Sequence, residues 1–217
     1  MIESEDNPKP EGRVARRQRR NRTALITAAR DIMAEKGVDA ATMLEIAEHA
    51  DVGAGTVYNY FKSKDELAIA VLESLMHELG RRIEMVTDTF DDPAQVYAFG
   101  IRTVLDTATT DPRWEQMLHR AEVIADAMYR TIGPFAIRDL KNAVSAGRFR
   151  ESDPAMIWRL TAHTIIGASL AVTGGELPSD SKVQIVARLL CMAGSDGESA
   201  EELAARPLPE LPPAPSE

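Results

Sequence analysis

Residues 42–67 constrain the fold of this chain most, because they carry the signals of two short helices, a tight turn and the start of a longer helix. Thr42 precedes an apolar-periodic stretch and Glu45 follows three residues later, which is the spacing of a capping box at a helix start. Ser63 and Glu66 repeat that spacing at the longer helix. The pattern predicts a helix-turn-helix unit, in which the second short helix enters the major groove of DNA.

The second short helix combines an apolar inner side with an outer side that suits a DNA groove. Small outer residues permit close approach to the groove wall, hydroxyl groups bind phosphate oxygens, and an Asn amide pairs with adenine. The residues expected to face inward are Ile46, Ala47, Val52, Val57 and Phe61. The predicted DNA contacts are Arg20, Thr42, Ala54, Gly55, Thr56, Tyr58, Asn59, Tyr60 and Lys62.

This stretch resembles the N-terminal domain of the TetR family of one-component transcriptional repressors. The matching positions are Thr42, Ile46, Ala47, Ala50, Val52, Gly55, Thr56, Tyr58, Tyr60, Phe61, Lys62, Ser63, Lys64 and Leu67. Asp51 stands where the turn of that family usually has Gly, and Gly53 stands where the second helix usually has a Ser cap. Both departures preserve the turn, because Asp tolerates a left-handed backbone and Gly is an acceptable N-cap.

The resemblance, which covers residues 20–70, implies an all-α fold. An N-terminal three-helix helix-turn-helix DNA-binding domain would precede a C-terminal helical domain for ligand binding and dimerisation. With the helical pattern, this predicts a flexible basic arm over residues 1–20, a DNA-binding domain over 21–67, a helical body over 68–193 and a disordered, acidic, Pro-rich tail over 194–217.

Turn signals predict where the individual helices lie. The first helix is expected over residues 22–36, with Gly37 as a left-handed cap, and the helix after Ser63 should continue to about Met85 and so link the two domains. Further helices are expected over 93–108, 112–130, 135–146, 154–172 and 181–193. Three of them begin at an Asp-Pro pair, which suits a cap followed by the first helical position.

The net charge of −9 has the wrong sign for indiscriminate binding to nucleic acid, but it is unevenly distributed. Residues 13–64 hold ten basic and six acidic side chains, a net +4, which leaves −13 for the rest of the chain. A basic end on an acidic body turns that end toward double-stranded DNA. The cluster of arginines over 13–22 is expected to be a solvated arm that can also enter a minor groove.

The remaining composition bounds the class of protein. Cys191 is the only cysteine, so no internal disulfide can form, and a reducing cytoplasm is the expected compartment. The polar opening residues argue against a signal peptide, and no apolar run is expected to be long enough to span a membrane. No cofactor or metal is expected, because the sequence has no phosphate-binding glycine loop, nucleophile elbow or zinc-ligand spacing.

Three functional classes remain open from the residues. A repressor that binds a palindromic operator as a dimer, and that a small apolar or amphipathic ligand releases, fits best. A ligand-independent architectural protein would usually need a positive overall charge, since counterion release supplies its affinity. An enzyme fits least, although a fold can host catalysis without a known motif.

The helical body offers candidates for both a pocket and a subunit interface. The predicted pocket residues, chosen for apolar, Met-rich or aromatic character, are Met85, Tyr97, Trp114, Met117, His119 and Met128. The segment 154–172 has apolar or small residues on nearly every face, so it should be buried all round, with part of the cover supplied by a second copy of the chain. The predicted interface residues of that homodimer are Leu160, Thr164, Gly167, Ala168, Ala171, Val186 and Leu190.

Overall fold

The computed structural model describes residues 12–111, 114, 121–150 and 153–213, and all regular structure among them is α-helical. In chain order the helices are α1 (Arg13–Lys36), α2 (Met43–His49), α3 (Ala54–Tyr60), α4 (Lys64–Thr87), α5 (Pro93–Thr110), α6 (Ala121–Thr131), α7 (Gly133–Ser145), α8 (Pro154–Thr173), α9 (Ser181–Met192) and α10 (Gly197–Ala205). The chain divides into two compact units, Met1–Val71 and Leu72–Glu217, and the boundary falls inside α4.

The first helix begins earlier than the sequence pattern predicts. Residues 13–20 were expected in a flexible arm, but they form the first turns of α1, while residues 1–11 lie outside the described part of the chain. Residues 13–20 consist mainly of Arg, Gln and Ala, which have high helix propensity. They lack an apolar stripe, so the periodicity of the sequence does not reveal that they are helical. Gly37 ends the helix with φ 86, a positive value as predicted, although its ψ of 159 lies outside the left-handed helical region.

Of the two capping boxes predicted around the helix-turn-helix, the one at α2 is complete and the one at α4 forms only its first bond. The Glu45 backbone N–H donates to Thr42 Oγ1 over 3.3 Å, and the Thr42 N–H donates to Glu45 Oε2 over 3.1 Å. At α4 the Glu66 N–H donates to Ser63 Oγ over 3.1 Å, whereas the Glu66 carboxylate accepts from the N–H of Lys62, one residue before the cap. These bonds satisfy N–H groups that the start of a helix leaves free.

The second unit is built around α5, which packs against α7, α8, α9 and α10. Asp92 caps α5 and Asp153 caps α8, each with a Pro in the first helical turn, as the Asp-Pro pairs predict. Tyr97 and Trp158 are among the largest fully buried side chains. The helices predicted over 93–108, 135–146, 154–172 and 181–193 all occur, with ends within two residues of those expected; of the one over 112–130, the structure describes Trp114 and α6 as helical.

The C-terminal segment is ordered where a disordered tail was expected. Asp196 caps α10 by accepting from the Ser199 N–H over 2.9 Å, and Ala200, Leu203 and Ala204 are buried against the body. After α10 the chain is irregular as far as residue 213 and is held by hydrogen bonds, including one from Arg82 Nε to the Pro212 carbonyl over 2.7 Å. The prolines disfavour helix after α10, whereas the spacing of Ala200, Leu203 and Ala204 before them is that of a buried helix face.

The expectation that no apolar run is long enough to span a membrane is wrong for α8. The segment of α8 is long and apolar enough to meet the length and composition criteria for a membrane span. One such helix is weak grounds for a membrane protein, because the core helix of a globular domain meets the same criteria. The inner side of α8, with Ile157, Trp158, Ile165 and Ile166, is buried in the second unit.

Candidate DNA-reading surface and ligand cavity

The nine predicted DNA contacts all lie at the surface of the first unit. Seven are exposed and two are half-buried, which leaves the outer side of α3 open to a partner. The exposed residues are Arg20, Thr42, Ala54, Gly55, Tyr58, Asn59 and Lys62, and the half-buried residues are Thr56 and Tyr60. At Gly55 an added Cβ would meet nothing within 4 Å, so the backbone of α3 is uncovered at the turn where it would approach a base edge.

The inner side of α3 is fixed by burial and by the turn that precedes it. Val57 and Phe61 are fully buried with Ile46, while Val52 is half-buried. Asp51 has φ 52, so the left-handed position in the turn is occupied by Asp as expected. Asp tolerates this region better than most side chains other than Gly, so the left-handed position of the turn does not need a glycine. The position of α3 is therefore fixed by contacts within the first unit.

Glu45 serves two contacts beside this surface. Its carboxylate accepts from Lys36 Nζ over 2.5 Å and from the Thr42 hydroxyl over 2.7 Å. These bonds, first that from Lys36 and then that from Thr42, lower the pKa of Glu45 to about 2. The Thr42 hydroxyl hydrogen is thus already engaged, so a phosphate contact from Thr42 would require that bond to be exchanged.

The second unit contains a cavity of about 30 Å³ between α4, α5, α7 and α8. Its lining is mostly apolar with a few polar side chains. The lining residues are Gly80, Ile83, Glu84, Thr87, Tyr97, Gly100, Ile101, Val104, Ile132, Phe135, Ala136, Asp139 and Trp158. A largely apolar hollow with a few convergent polar groups is the usual form of a small-molecule site.

The polar groups of the cavity differ in whether they have hydrogen-bond partners within the protein. The Tyr97 hydroxyl shares a 3.2 Å hydrogen bond with Thr161 Oγ1, and burial raises the pKa of the Tyr97 phenol. Asp139 accepts from Arg138 Nε over 2.9 Å; burial raises the pKa of the Asp139 carboxyl, and the Arg138 guanidinium opposes that shift. The buried indole Nε1 of Trp158 has no hydrogen-bond partner among the described residues.

The predicted pocket residues only partly coincide with this cavity. Tyr97 lines it; Trp114 and Met128 are buried but lie outside its lining, and Met117 and His119 lie outside the described residues. Met85 is 45% exposed and does not line the cavity, because the helical period turns Ile83, Glu84 and Thr87 toward it and leaves Met85 on another side of α4.

Sequence reasoning missed the polar lining residues of α4, α7 and α8. Asp139 was detectable, because it stands one turn from Phe135 and Ala136 and one residue before Leu140, so the apolar stripe of α7 includes a carboxylate. An acidic side chain on the buried stripe of a helix is costly unless it is paired or used. Trp158 gave no comparable signal, since α8 is apolar on nearly every side.

The predicted interface residues separate into two groups. On α8, Thr164 and Gly167 are exposed, Leu160 is 48% exposed, and Ala168 and Ala171 are half-buried, so they form a continuous uncovered face. On α9, Val186 and Leu190 are 1% and 0% exposed because the core of their own chain covers them. The placement of Val186 and Leu190 at a subunit surface is therefore wrong.

Comparison with known proteins gives the family of the chain. The family profile described as "Bacterial regulatory proteins, tetR family" matches residues 25–71, and the profile described as "Tetracyclin repressor-like, C-terminal domain" matches residues 92–206. Together the two profiles cover more than half of the sequence. The chain belongs to the TetR family. The predicted family and all-α architecture are confirmed, and the C-terminal TetR profile extends through α10.

Two solved structures resemble this TetR-family chain over most of its length. RolR in complex with the ligand resorcinol is 34% identical, covers 90% of this chain and 98% of RolR, and superposes with a TM-score of 0.81. RolR without ligand is 33% identical, covers 88% of this chain and 100% of that chain, and has a TM-score of 0.79.

Curated relatives match shorter stretches. The transcriptional repressor KstR of Mycolicibacterium smegmatis is 30% identical over 116 residues, which are 54% of this chain and 56% of KstR, so the match spans about half of that relative. The transcriptional regulator BetI of Brucella abortus is 26% identical over 161 residues, 68% of this chain and 81% of BetI. The family and these relatives are transcriptional regulators rather than enzymes.

Proposed function

We propose that this protein is a ligand-responsive transcriptional repressor that binds a roughly palindromic operator in double-stranded DNA as a homodimer. A small molecule bound in the cavity of the second unit would release the repressor from DNA. The cytoplasm is the natural compartment for such a regulator. The observation that carries the proposal is the match to RolR over 98% of that chain, since RolR is solved both with and without a small molecule.

The exposed side of α3 supports the DNA-binding part of the proposal. We assign the approach to bases to Gly55, Thr56 and Asn59, and the phosphate contacts to Tyr58 and Lys62 together with their neighbours Thr42 and Tyr60. The basic net charge of residues 13–64 on an otherwise acidic chain favours DNA approach from this unit. An architectural protein without a ligand would not need the cavity.

The uncovered face of α8 supports the homodimer. Large apolar side chains at the surface recur on α8 and α9 and between them, where Met156, Leu160, Leu177 and Val183 are exposed. A second copy of the same face would cover them by two-fold pairing, which is the usual closure of homodimers. A dimer also follows from the short recognition helix, because two such helices can read half-sites about one helical turn apart.

The experiment that tests DNA binding combines operator selection with a charge variant. Genomic fragments, including the promoter of the protein's own gene, are captured on the protein, and the bound site is footprinted. Lys62→Ala is then expected to weaken binding across sequences and to reduce the salt slope by about 1 per half-site, because one phosphate contact per subunit is lost. Lys141→Ala, which removes an exposed lysine of the second unit, is the matched control and should leave affinity and slope unchanged. If the salt slope of Lys62→Ala equals that of the wild type, Lys62 does not contact a phosphate.

A further inference from the structure

The first turns of α1 carry the positive charge of the first unit. Residues 13–22 hold six arginines and no acidic residue, whereas residues 23–64 hold four basic and six acidic side chains. The helix-turn-helix that follows the arginines therefore has a net charge of −2, which is the wrong sign for a surface that approaches phosphates. The attraction of this unit for a polyanion depends on residues 13–22.

Four of these arginines share one side of α1. Arg13, Arg16, Arg17 and Arg20 follow one another at intervals of three, one and three residues, which is the spacing of side chains on one side of a helix. All four are exposed, and no ion pair or hydrogen bond joins their side chains to another described residue. These four residues form the arginine face of α1.

The arginine face is unfavourable for the helix that carries it. Arg13 with Arg17, and Arg16 with Arg20, place like charges one turn apart, which destabilises a helix. Positive charge in the first turns also opposes the helix dipole. Residues 13–20 are all exposed, so burial of apolar surface offsets neither effect. Anions bound along this face would offset both.

Arg22 connects the arginine face with the end of the recognition helix. Its guanidinium carbon lies 5.2 Å from the centre of the Phe61 ring. Phe61 directly follows α3 and precedes Lys62, a proposed phosphate contact. Because Arg20 stands only two residues before Arg22, the arginine face begins next to the end of the surface that α3 offers to DNA.

The helical form of residues 13–20 decides how this face can meet DNA. A helix with its side chains is about 10–12 Å in diameter, whereas the minor groove is about 6 Å wide. Residues 13–20 therefore do not fit into that groove, although a flexible arm would. The rise from Arg13 to Arg20 is about 10 Å, which matches about three phosphates of one strand. Guanidinium groups bind phosphate oxygens by charge-assisted hydrogen bonds.

We propose that the arginine face binds the phosphate backbone of double-stranded DNA beside each half-site, as a helix and without reading bases, and that it supplies most of the electrostatic attraction between the protein and its operator. This inference rests on the proposed operator binding and adds a second DNA-binding surface to that of α3. Since the rest of the helix-turn-helix is acidic on balance, loss of this face should reduce the salt dependence of binding more than loss of Lys62 does.

A salt titration of operator binding by the full-length protein measures the contribution of the face. The test variant combines Arg13→Gln, Arg16→Gln, Arg17→Gln and Arg20→Gln, because Gln has a helix propensity close to that of Arg. Each phosphate contact contributes about 0.9 to the salt slope, so the slope should fall by about 3–4 per half-site. Affinity at about 0.15 M salt should fall at least about tenfold. The helix content measured by circular dichroism should match that of the wild type.

The control variant removes positive charge from the second unit. It combines Arg81→Gln, Lys141→Gln and Arg150→Gln, all at exposed positions. Its salt slope and operator affinity should equal those of the wild type. A wild-type slope in the test variant, or an equally large fall in the control variant, would overturn the inference.

The bases that flank the operator distinguish a helix on the backbone from an arm in the minor groove. The minor groove mainly separates A·T from G·C pairs, so operators with A·T-rich and G·C-rich flanks should bind the wild type within about twofold of each other. A stronger preference for A·T-rich flanks that the test variant loses would mean that these arginines enter the groove, and the helical contact would be wrong.

Two outcomes separate this inference from the proposed function. If the wild type binds its operator and Lys62→Ala lowers the salt slope while the test variant does not, operator binding stands and the arginine face has no part in it. If the wild type binds no operator, while vesicles containing phosphatidylserine capture the wild type but not the test variant, both the repressor function and the DNA assignment of this face fail.

Discussion

Ionisation of Glu45 makes the stability of the first unit depend on pH, because its carboxylate accepts three hydrogen bonds. Lys36 and Thr42 lower its folded-state pKa to about 2, below its ordinary value of 4.5. A depressed pKa means that the stabilisation is fully present above pH 4.5 and is lost as the pH falls toward 2. We expect Glu45→Gln to destabilise the first unit at pH 6 and to have a smaller effect at pH 3. Urea unfolding of the full chain at the two pH values, followed by a probe within the first unit, measures this difference.

The control for Glu45 is Glu48→Gln, because Glu48 is exposed on the same short helix and makes no part of the capping box. Its effect should be small at both pH values. An effect of Glu45→Gln that is equal at pH 6 and pH 3 would contradict the role of the ionised carboxylate.

At the residue scale, local patterns predicted the caps and the turn of the helix-turn-helix better than the lining of the cavity. The capping box at Thr42 and the left-handed Asp51 depend on neighbours within a few residues, so the sequence displays them directly. The cavity depends on which sides of four helices meet. Asp139 and Trp158 come together with Tyr97 only through that packing, and no local spacing specifies it.

The C-terminal helix is an element whose stability can be measured with a pair of leucines. Leu203 on α10 is 1% exposed, whereas Leu208 in the following irregular segment is 38% exposed. Leu203→Ala should lower the free energy of unfolding by about 2–4 kcal/mol, because it leaves a cavity in a packed core. Leu208→Ala should change it by less than about 0.5 kcal/mol. If both variants have equally small effects in chemical denaturation, α10 is not part of the packed core, and the disordered tail that composition suggests is the better description.

The uncovered face of α8 is the element on which the homodimer depends. Ala168→Arg places a charge at the centre of this face and should give monomers that lose operator binding while the recognition unit is intact. Ala146→Arg, at the exposed end of α7, is the matched control and should remain dimeric. Sedimentation velocity at micromolar concentration distinguishes them. A dimeric Ala168→Arg protein with normal operator binding, or a monomeric wild type, would refute this interface.

Helix boundaries in this chain were predictable wherever a cap or an Asp-Pro pair marks them. Asp92 before Pro93 and Asp153 before Pro154 fixed the starts of α5 and α8. The early start of α1 had no such signal, since Gly12 caps it without a side-chain hydrogen bond and the added turns bury little. For α10, the acidic residues and nearby prolines favour a disordered tail. The same capping rules nevertheless identify Asp196 as a possible helix start.

At the scale of the whole molecule, the uneven charge and the division into two units both fit the proposed cycle of DNA binding and ligand-induced release. Residues 13–64 carry a net +4 and hold the recognition helix, while the acidic remainder holds the cavity. α4 contributes residues 64–71 to the first unit and 72–87 to the second, so one continuous helix belongs to both. A ligand that prefers the DNA-incompetent state of the protein would shift the population toward it.

Reciprocal titration tests this cycle most directly. Anisotropy of a labelled operator gives DNA affinity with and without a saturating cavity ligand, with resorcinol as first probe, and calorimetry gives ligand affinity with and without operator. The account predicts that ligand lowers operator affinity by a factor of about 5–150, and that operator lowers ligand affinity by the same factor, because coupling between two sites is mutual. Operator affinity that stays unchanged while every ligand that binds the cavity is saturating would contradict it.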